Sequence, residues 1–139
     1  MRRFGIMLLV LLAGTFTAIG QNGESSSEKK ARAEITFSKK THNFGKIPFK
    51  GDGSYTFKFE NTGKKALIIN DVQASCSCTA SEWPEDPILP GKKGEITVEY
   101  DTRNPKNIGK FTKYIFIFNT ATKNAIKLTI TGILEKNKE

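Results

Sequence analysis

The stretch that decides the fold class is Tyr55-Thr56-Phe57-Lys58-Phe59. Its aromatic rings recur at every second residue, with a threonine and a lysine between them. Side chains of a β-strand point alternately to its two faces, so this order is typical of a strand with one buried and one wet face. The runs at residues 96–100 and 126–131 repeat the alternation. The period of two therefore indicates antiparallel sheet.

The run at residues 114–118, Tyr-Ile-Phe-Ile-Phe, is apolar on both faces, which we expect of a central strand. No window keeps a helical period for a useful length, so helix is expected to be at most a turn or two. Strands are predicted near residues 35–38, 42–47, 54–60, 66–74, 95–101, 110–119 and 125–134.

Turn signals separate these runs. Residues 61–65, Asn-Thr-Gly-Lys-Lys, are predicted to form a hairpin loop. Residues 89–92, Leu-Pro-Gly-Lys, suit a type II turn, because proline fixes the first central φ and glycine accepts the positive second one. Seven antiparallel strands over about 100 residues favour an all-β, immunoglobulin-like sandwich. A small closed barrel is the alternative.

The N-terminus carries the pattern of an export signal. Arg2 and Arg3 precede an apolar run from Phe4 to about Ala13, and small residues near Gly20 predict cleavage before Gln21. An uncleaved membrane anchor is the alternative, but a spanning helix needs about 20 apolar residues and this run is shorter. We therefore expect a signal peptide at residues 1–20, a periplasmic or extracellular protein, and no stable membrane span after cleavage.

The rest of the chain divides by composition. Residues 21–33 contain almost nothing apolar and are predicted to be a flexible polar linker. The sandwich domain is expected at residues 34–134, and residues 135–139 form a polar tail. The net charge is +8, but the lysines are scattered in pairs along the chain. Because no cluster concentrates the field, we expect a solvated surface and no nucleic-acid partner.

The two cysteines lie together in Cys76-Ser77-Cys78-Thr79. In an extended chain their Cβ atoms would lie about 6.5–7 Å apart, against roughly 3.8 Å in a disulfide. A bridge between them therefore requires the strand to buckle, and it would be strained and easily reduced. The pair is open to three interpretations: ordinary semi-buried cysteines or a bridge that pins the strand end, a soft-metal site, or a redox or intermolecular pairing site.

His42 is the only histidine of the chain. It is a candidate third ligand if the fold brings it near Cys78, and otherwise an edge or turn residue beside Phe44 and Gly45. Two thiolates do not complete a closed zinc site, which needs four ligands. We therefore expect no cofactor, and copper or zinc held by Cys76, Cys78 and His42 is the alternative.

Little in the sequence points to catalysis. A single histidine must serve any imidazole acid–base scheme, and no serine has the context of a nucleophile elbow. No glycine-rich phosphate loop or aspartate-rich calcium loop is present. Residues 75–94 include the longest irregular stretch, which three prolines stiffen. This loop is the candidate interaction site, with Thr79, Trp83, Pro84 and Pro87 as its contact residues. Trp83 is either an exposed anchor for a partner or a core residue that lies over the end of the sandwich.

Four motifs occur in series: residues 42–47 (His-Asn-Phe-Gly-Lys-Ile), residues 57–63, Cys-Ser-Cys-Thr at 76–79, and residues 89–98. Together they resemble a bacterial family of exported domains known as domain of unknown function 1573, related to the sandwich modules of Hydin-type proteins. The resemblance covers roughly residues 35–134. It implies an immunoglobulin-like fold, export, and a cysteine pair that is a family feature, but no established activity. The family commonly has aspartate where this chain has Asn43.

The leading hypothesis is an exported, non-enzymatic β-sandwich module for interaction with a protein or a cell-envelope component. The alternative is a thiol-based protein that binds a soft metal or performs redox chemistry through Cys76 and Cys78.

Overall fold

The structure, a computed structural model, describes residues 31–76 and 78–137 of the 139-residue chain. The predicted signal peptide and most of the predicted linker lie outside the described residues. The described residues form a single-turn 3₁₀ helix, Pro105–Asn107, and eight strands: β1 (Ile35–Phe37), β2 (Thr41–Pro48), β3 (Ser54–Asn61), β4 (Ile69–Ala74), β5 (Cys78–Glu82), β6 (Lys93–Tyr100), β7 (Gly109–Asn119) and β8 (Ile126–Glu135).

The strands form two four-stranded sheets. The first sheet has the order β1-β3-β6-β5, and the second sheet has the order β2-β8-β7-β4. Neighbouring strands are antiparallel, apart from β2 and β8, which run parallel. Two open sheets enclose the core, so the predicted sandwich is confirmed and the closed barrel is excluded.

The core lies between the two sheets, where alternate residues of each strand point inward. Phe57 and Phe59 are 1% and 2% exposed, and Ile96 and Val98 on the neighbouring strand are fully buried. Leu128 on β8 is fully buried as well, from the facing sheet. These are the faces that the period of two predicted, because burial of one face selects the strand register.

Two details of the strands differ from the prediction of about seven antiparallel strands. The described residues form eight strands, because β5 forms within the region predicted as an irregular loop. The strands are not all antiparallel, because β2 pairs with β8 in parallel. Both differences occur where the chain crosses from the edge of one sheet to the edge of the other. The crossing from β4 to β5 adds a strand to the first sheet, and the crossing from β1 to β2 places β2 beside β8.

The predicted hairpin at residues 61–65 was also wrong, since β3 and β4 lie in different sheets. This connection is organised by Asn61, whose side chain is fully buried. Its amide nitrogen donates to the carbonyl oxygens of Lys65 and Ile88, at 2.7 and 2.8 Å. Its amide oxygen accepts from the backbone N–H groups of Glu34 and Gly63, at 3.3 and 3.0 Å.

The turn at residues 89–92 is confirmed. The Lys92 N–H donates to the Leu89 carbonyl at 3.0 Å, and Gly91 has a φ of +77°. That positive φ is the one a type II turn requires at its second central residue.

Residues at both ends of the predicted sandwich domain take part in its packing and hydrogen bonding. Ala33 is buried, and the Arg32 carbonyl accepts from the Lys64 N–H at 2.8 Å. At the other end, Glu135 closes β8, where its carbonyl accepts from the Phe49 N–H and its carboxylate pairs with Lys46 at 3.0 Å. The packed part of the chain therefore includes residues on both sides of the predicted domain.

Candidate functional site

The cysteine pair lies where the chain leaves the second sheet and enters the first. The Cys78 N–H donates to the Ser75 carbonyl at 3.1 Å, which closes a tight turn around Cys76. Ser75 is fixed in turn to β7, because its N–H donates to the Tyr114 carbonyl at 2.9 Å and its hydroxyl accepts from the Tyr114 N–H at 3.0 Å. The chain therefore buckles at the position where a local disulfide would need it to.

The two thiols have different surroundings. Both cysteines are free, but Cys76 is exposed and Cys78 is half-buried. Burial raises the pKa of the Cys78 thiol to about 11, although the positive charge of Lys113 acts in the opposite direction. Across the strand pair, Cys78 lies opposite Tyr100. The pKa of Tyr100 is raised by burial first, and then by the negative charges of Cys78 and Asp101.

The structure does not bring His42 to the cysteines. His42 lies on the edge strand β2, with its ring stacked on Tyr55 at 3.6 Å between centroids and edge-on to Phe44 at 4.5 Å. Burial, and then the charge of Lys39, lower the pKa of the imidazole. The cysteine turn follows β4, at the other edge of that sheet, so three strand spacings, or about 14 Å, separate the two strands.

Within residues 31–76 and 78–137, no group of three or more His, Cys, Asp or Glu residues is placed to hold a metal ion. Of the three residues predicted as soft-metal ligands, Cys76 and Cys78 lie near each other in sequence and His42 lies far from both. His42 instead packs against aromatic rings at the edge of the sandwich.

The candidate interaction loop is largely folded onto the domain. The backbone of Thr79 belongs to β5 and pairs with Glu99. Trp83 is half-buried and packs against the core, and Pro84 is half-buried as well. Pro87 is exposed, but the next residue, Ile88, is buried and bridges to Leu67. Trp83 thus contributes mainly to packing.

The outer face of the second sheet carries a row of aromatic side chains whose exposure was not predicted from the sequence. Tyr114, Phe116 and Phe118 point outward from β7 and are 39%, 37% and 37% exposed. We call these three residues the aromatic face. The Lys127 ammonium lies 5.0 Å from the centroid of the Tyr114 ring. The signal was present in the run at 114–118, whose two apolar faces were interpreted as both covered.

Asn43 has a structural role in β2. Its side-chain oxygen accepts from the Gly45 N–H at 2.8 Å, and Gly45 has a φ of +67° at an irregularity in the pairing with β8. A carboxylate could accept the same hydrogen bond. Asparagine and aspartate can therefore both make this contact at position 43.

The fold is an immunoglobulin-like β-sandwich of the constant type. One sheet contains β1, β3, β6 and β5, and the other contains β8, β7 and β4. The first strand of that fold is divided between the sheets, as β1 in the first sheet and β2 in the second. The chain belongs to the family described as protein of unknown function (DUF1573), whose model matches residues 35–134. The resemblance seen in the sequence motifs is thus confirmed.

Solved structures share this fold at low sequence identity. A protein of unknown function from Porphyromonas gingivalis W83 is similar with a TM-score of 0.66 and 13% identity, over 75% of this chain and 48% of that one. The ASH/PapD-like domain 7 of human CEP192 has a TM-score of 0.58 and 10% identity, over 78% and 88% of the two chains. The periplasmic chaperone SfaE has a TM-score of 0.50 and 9% identity, over 76% and 59%.

This chain spans about half the length of the Porphyromonas protein. No curated protein matches the sequence. In the part of the chain that the structure describes, no helix is long and apolar enough to cross a membrane.

Proposed function

We propose that this chain is an exported, non-enzymatic binding module whose aromatic face docks on a separate protein. The observation that supports this proposal is the row formed by Tyr114, Phe116 and Phe118, each more than a third exposed on one strand. Aromatic residues are enriched among the residues that dominate binding energy at protein interfaces. Large contiguous exposed apolar patches mark sites of interaction with proteins, membranes or ligands.

The surroundings of the aromatic face favour a partner with an acidic rim around an apolar centre. Lys110 and Lys127 are both exposed, on β7 and on the neighbouring strand β8. The nearby carboxylate of Asp71 already accepts from the Val72 N–H and from the Gln73 side chain, at 2.8 and 2.9 Å. The two lysines outnumber this one carboxylate, so the surroundings of the aromatic face are net positive and binding is expected to weaken as salt increases.

The position of the site on an outer sheet face also suits a protein partner. The rings occupy alternate outward positions of one strand and form a ridge on the sheet. A ridge of this kind offers contact area without enclosing a small molecule, whereas ligand pockets are concave. The similar fold of the periplasmic chaperone SfaE also supports a role in contact with other proteins.

Site-specific photocrosslinking tests the proposal. Phe116 is replaced by p-benzoylphenylalanine in cells that produce the full chain, and the same substitution at exposed Lys58, on the outer face of the first sheet, serves as the control. We expect one discrete adduct with another protein from position 116 only. With that partner purified, Phe116→Ser should weaken the Kd by about tenfold or more.

Three outcomes of this experiment count against the proposal. One is the absence of an adduct at position 116, and another is the same set of adducts from both positions. The third is an adduct of the chain with itself, which would make the face a homodimer interface.

Export is a separate part of the proposal and rests on Arg2, Arg3 and the apolar run that follows them. N-terminal sequencing of the protein recovered from its producing cell should give a chain that begins at Gln21. A recovered chain that still begins at Met1 would remove this part and leave the docking surface to be judged by crosslinking.

A further inference from the structure

The geometry points to a reversible disulfide between Cys76 and Cys78, formed by thiol–disulfide exchange with the disulfide of another molecule. Cys76 is the thiol that attacks first, and Cys78 is the thiol that closes the ring. This inference concerns the sheet crossover and is independent of the aromatic face.

The first support is the shape of the turn. A straight strand would hold the two Cα atoms about 6.5–7 Å apart, at or beyond the limit for a disulfide. The hydrogen bond from the Cys78 N–H to the Ser75 carbonyl, at 3.1 Å, bends the chain out of the extended form between these residues. Such a bond is the one that closes a β-turn, in which the chain reverses direction instead of remaining extended.

The second support is the way the turn is anchored. Ser75 makes two hydrogen bonds to the backbone of Tyr114, at 2.9 and 3.0 Å. On the far side, Cys78 is paired with Tyr100 in the first sheet. Because both flanks are held by hydrogen bonds to different sheets, the turn that carries the cysteines is already anchored in the reduced protein. The entropic cost of ring closure is therefore largely met by the fold.

The third support is the difference in accessibility. Cys76 is exposed and can be reached by a disulfide from solution, whereas Cys78 is half-buried. Burial also raises the pKa of Cys78 to about 11, which keeps that thiol protonated at neutral pH. Since the thiolate is the attacking species, the first attack falls to Cys76.

The reaction proceeds in two balanced steps. The Cys76 thiolate attacks one sulfur of a disulfide RS–SR, so that a Cys76–SR bond forms and RS⁻ leaves. Cys78 then loses its proton and attacks the Cys76 sulfur, which forms the Cys76–Cys78 bond and releases the second RS⁻. The protein dithiol is oxidised by two electrons, and RS–SR is reduced to two thiols.

The product ring contains a single residue between its cysteines, so some strain remains even in the turn. Strained and exposed disulfides are the more oxidising and more easily reduced ones. The bond is therefore suited to exchange with other thiols, in contrast to a bond that only stabilises the fold.

Mass spectrometry of the full chain tests the inference. The protein is reduced, freed of reductant and incubated at pH 8 with glutathione disulfide, and its intact mass is then followed in time. Wild type should lose two hydrogen atoms and retain no glutathione. Cys78→Ser should stop at a stable adduct with one glutathione. In Cys76→Ser, the adduct should form about tenfold more slowly, because a lower thiolate fraction at Cys78 outweighs its greater nucleophilicity.

A wild-type protein that retains one glutathione without closing the ring would overturn the inference, as would equal adduct rates in the two variants. Protection of both thiols by one equivalent of Zn²⁺ or Cu⁺ would replace exchange with metal binding. Cys78→Ala, together with circular dichroism of each variant, separates loss of chemistry from loss of fold. None of these results depends on the photocrosslinking experiment.

Discussion

The side-chain amide of Asn61 donates to the Ile88 carbonyl at 2.8 Å and thereby joins the end of β3 to the segment that precedes β6. The same side chain makes three further hydrogen bonds, including those that accept from Glu34 and Gly63. Asn61 is fully buried, so water cannot replace these partners in the folded protein. One polar residue thus organises three separate backbone segments.

Asn61→Ala is expected to lower the free energy of unfolding by about 3 kcal/mol, because it leaves buried backbone groups without partners. Urea denaturation monitored by circular dichroism measures the change. The matched control is Asn43→Ala, which removes one hydrogen bond at an exposed site and should cost about 0.5–1 kcal/mol. Equal losses in the two variants would contradict the role assigned to Asn61.

Gly132→Ala should destabilise the domain by about 1–3 kcal/mol through overpacking. A Cβ atom at Gly132 would lie 2.7 Å from the end of the Phe111 ring and 3.1 Å from the Gly45 carbonyl oxygen. The double variant with Phe111→Leu shortens the side chain that is struck. A double-mutant cycle should therefore show that Gly132→Ala costs clearly less in the Phe111→Leu background, and independent effects would refute the contact.

Acidification should weaken the fold through His42. Its pKa is lowered from 6.5 by burial and then by Lys39, so the unfolded chain binds the proton more tightly than the folded one. The corresponding stability is fully present above pH 6.5 and is lost as the pH falls through the lower folded pKa. Urea midpoints at pH 7 and pH 5 measure the loss. The urea midpoint of wild type should fall more between pH 7 and pH 5 than the midpoint of His42→Asn. An equal fall in both proteins would count against the lowered pKa of His42.

The alkylation rate of Cys78 should keep rising with pH beyond the range of an ordinary thiol, because burial raises its pKa. In Cys76→Ser, Cys78 is the one remaining cysteine, and its alkylation by iodoacetamide should keep accelerating up to a midpoint at about pH 11. Lys113→Met should raise the midpoint further, because the lysine charge favours the thiolate. A rate that already levels off near the pKa of an ordinary thiol, about 8.5, would disprove the burial effect.

The aromatic face should contribute little to folding. Phe116→Thr is expected to change the free energy of unfolding by less than about 1 kcal/mol, since its ring is partly in solvent and threonine suits a strand. Ile117→Ala, one residue further and fully buried, should cost about 2–4 kcal/mol. Thermal or urea unfolding compares the two, and a large loss in Phe116→Thr would make the face part of the structural core.

Much of the fold could be predicted from local pattern. The alternation around Phe57 and Val98 identified the buried faces, because sheet burial repeats every second residue. The type II turn at residues 89–92 was predictable as well, since proline and glycine determine its dihedrals. The crossing from β4 to β5 was not, because it depends on which distant strands accept the chain.

The candidate site was harder to predict for a related reason. Sequence spacing placed Cys76 beside Cys78, but the distance between them and His42 depends on the order of strands within the sheet. The exposure of Phe116 was missed because a run that is apolar on both faces does not tell whether a layer covers each face. Asn61 was interpreted as a turn residue, and its burial follows only from the neighbouring segments.

The parallel pairing of β2 with β8, from Thr41 opposite Thr129 to Pro48 opposite Glu135, has a mechanical consequence. If the domain is stretched through the chain on either side of it, we expect the short strand β1 to detach first, because it pairs over only three residues. The two parallel strands are then drawn in opposite directions along their length. The tension is shared by all of their cross-strand hydrogen bonds at once. Since forced unfolding depends on the unfolding rate, the domain should resist pulling more strongly than its thermal stability suggests.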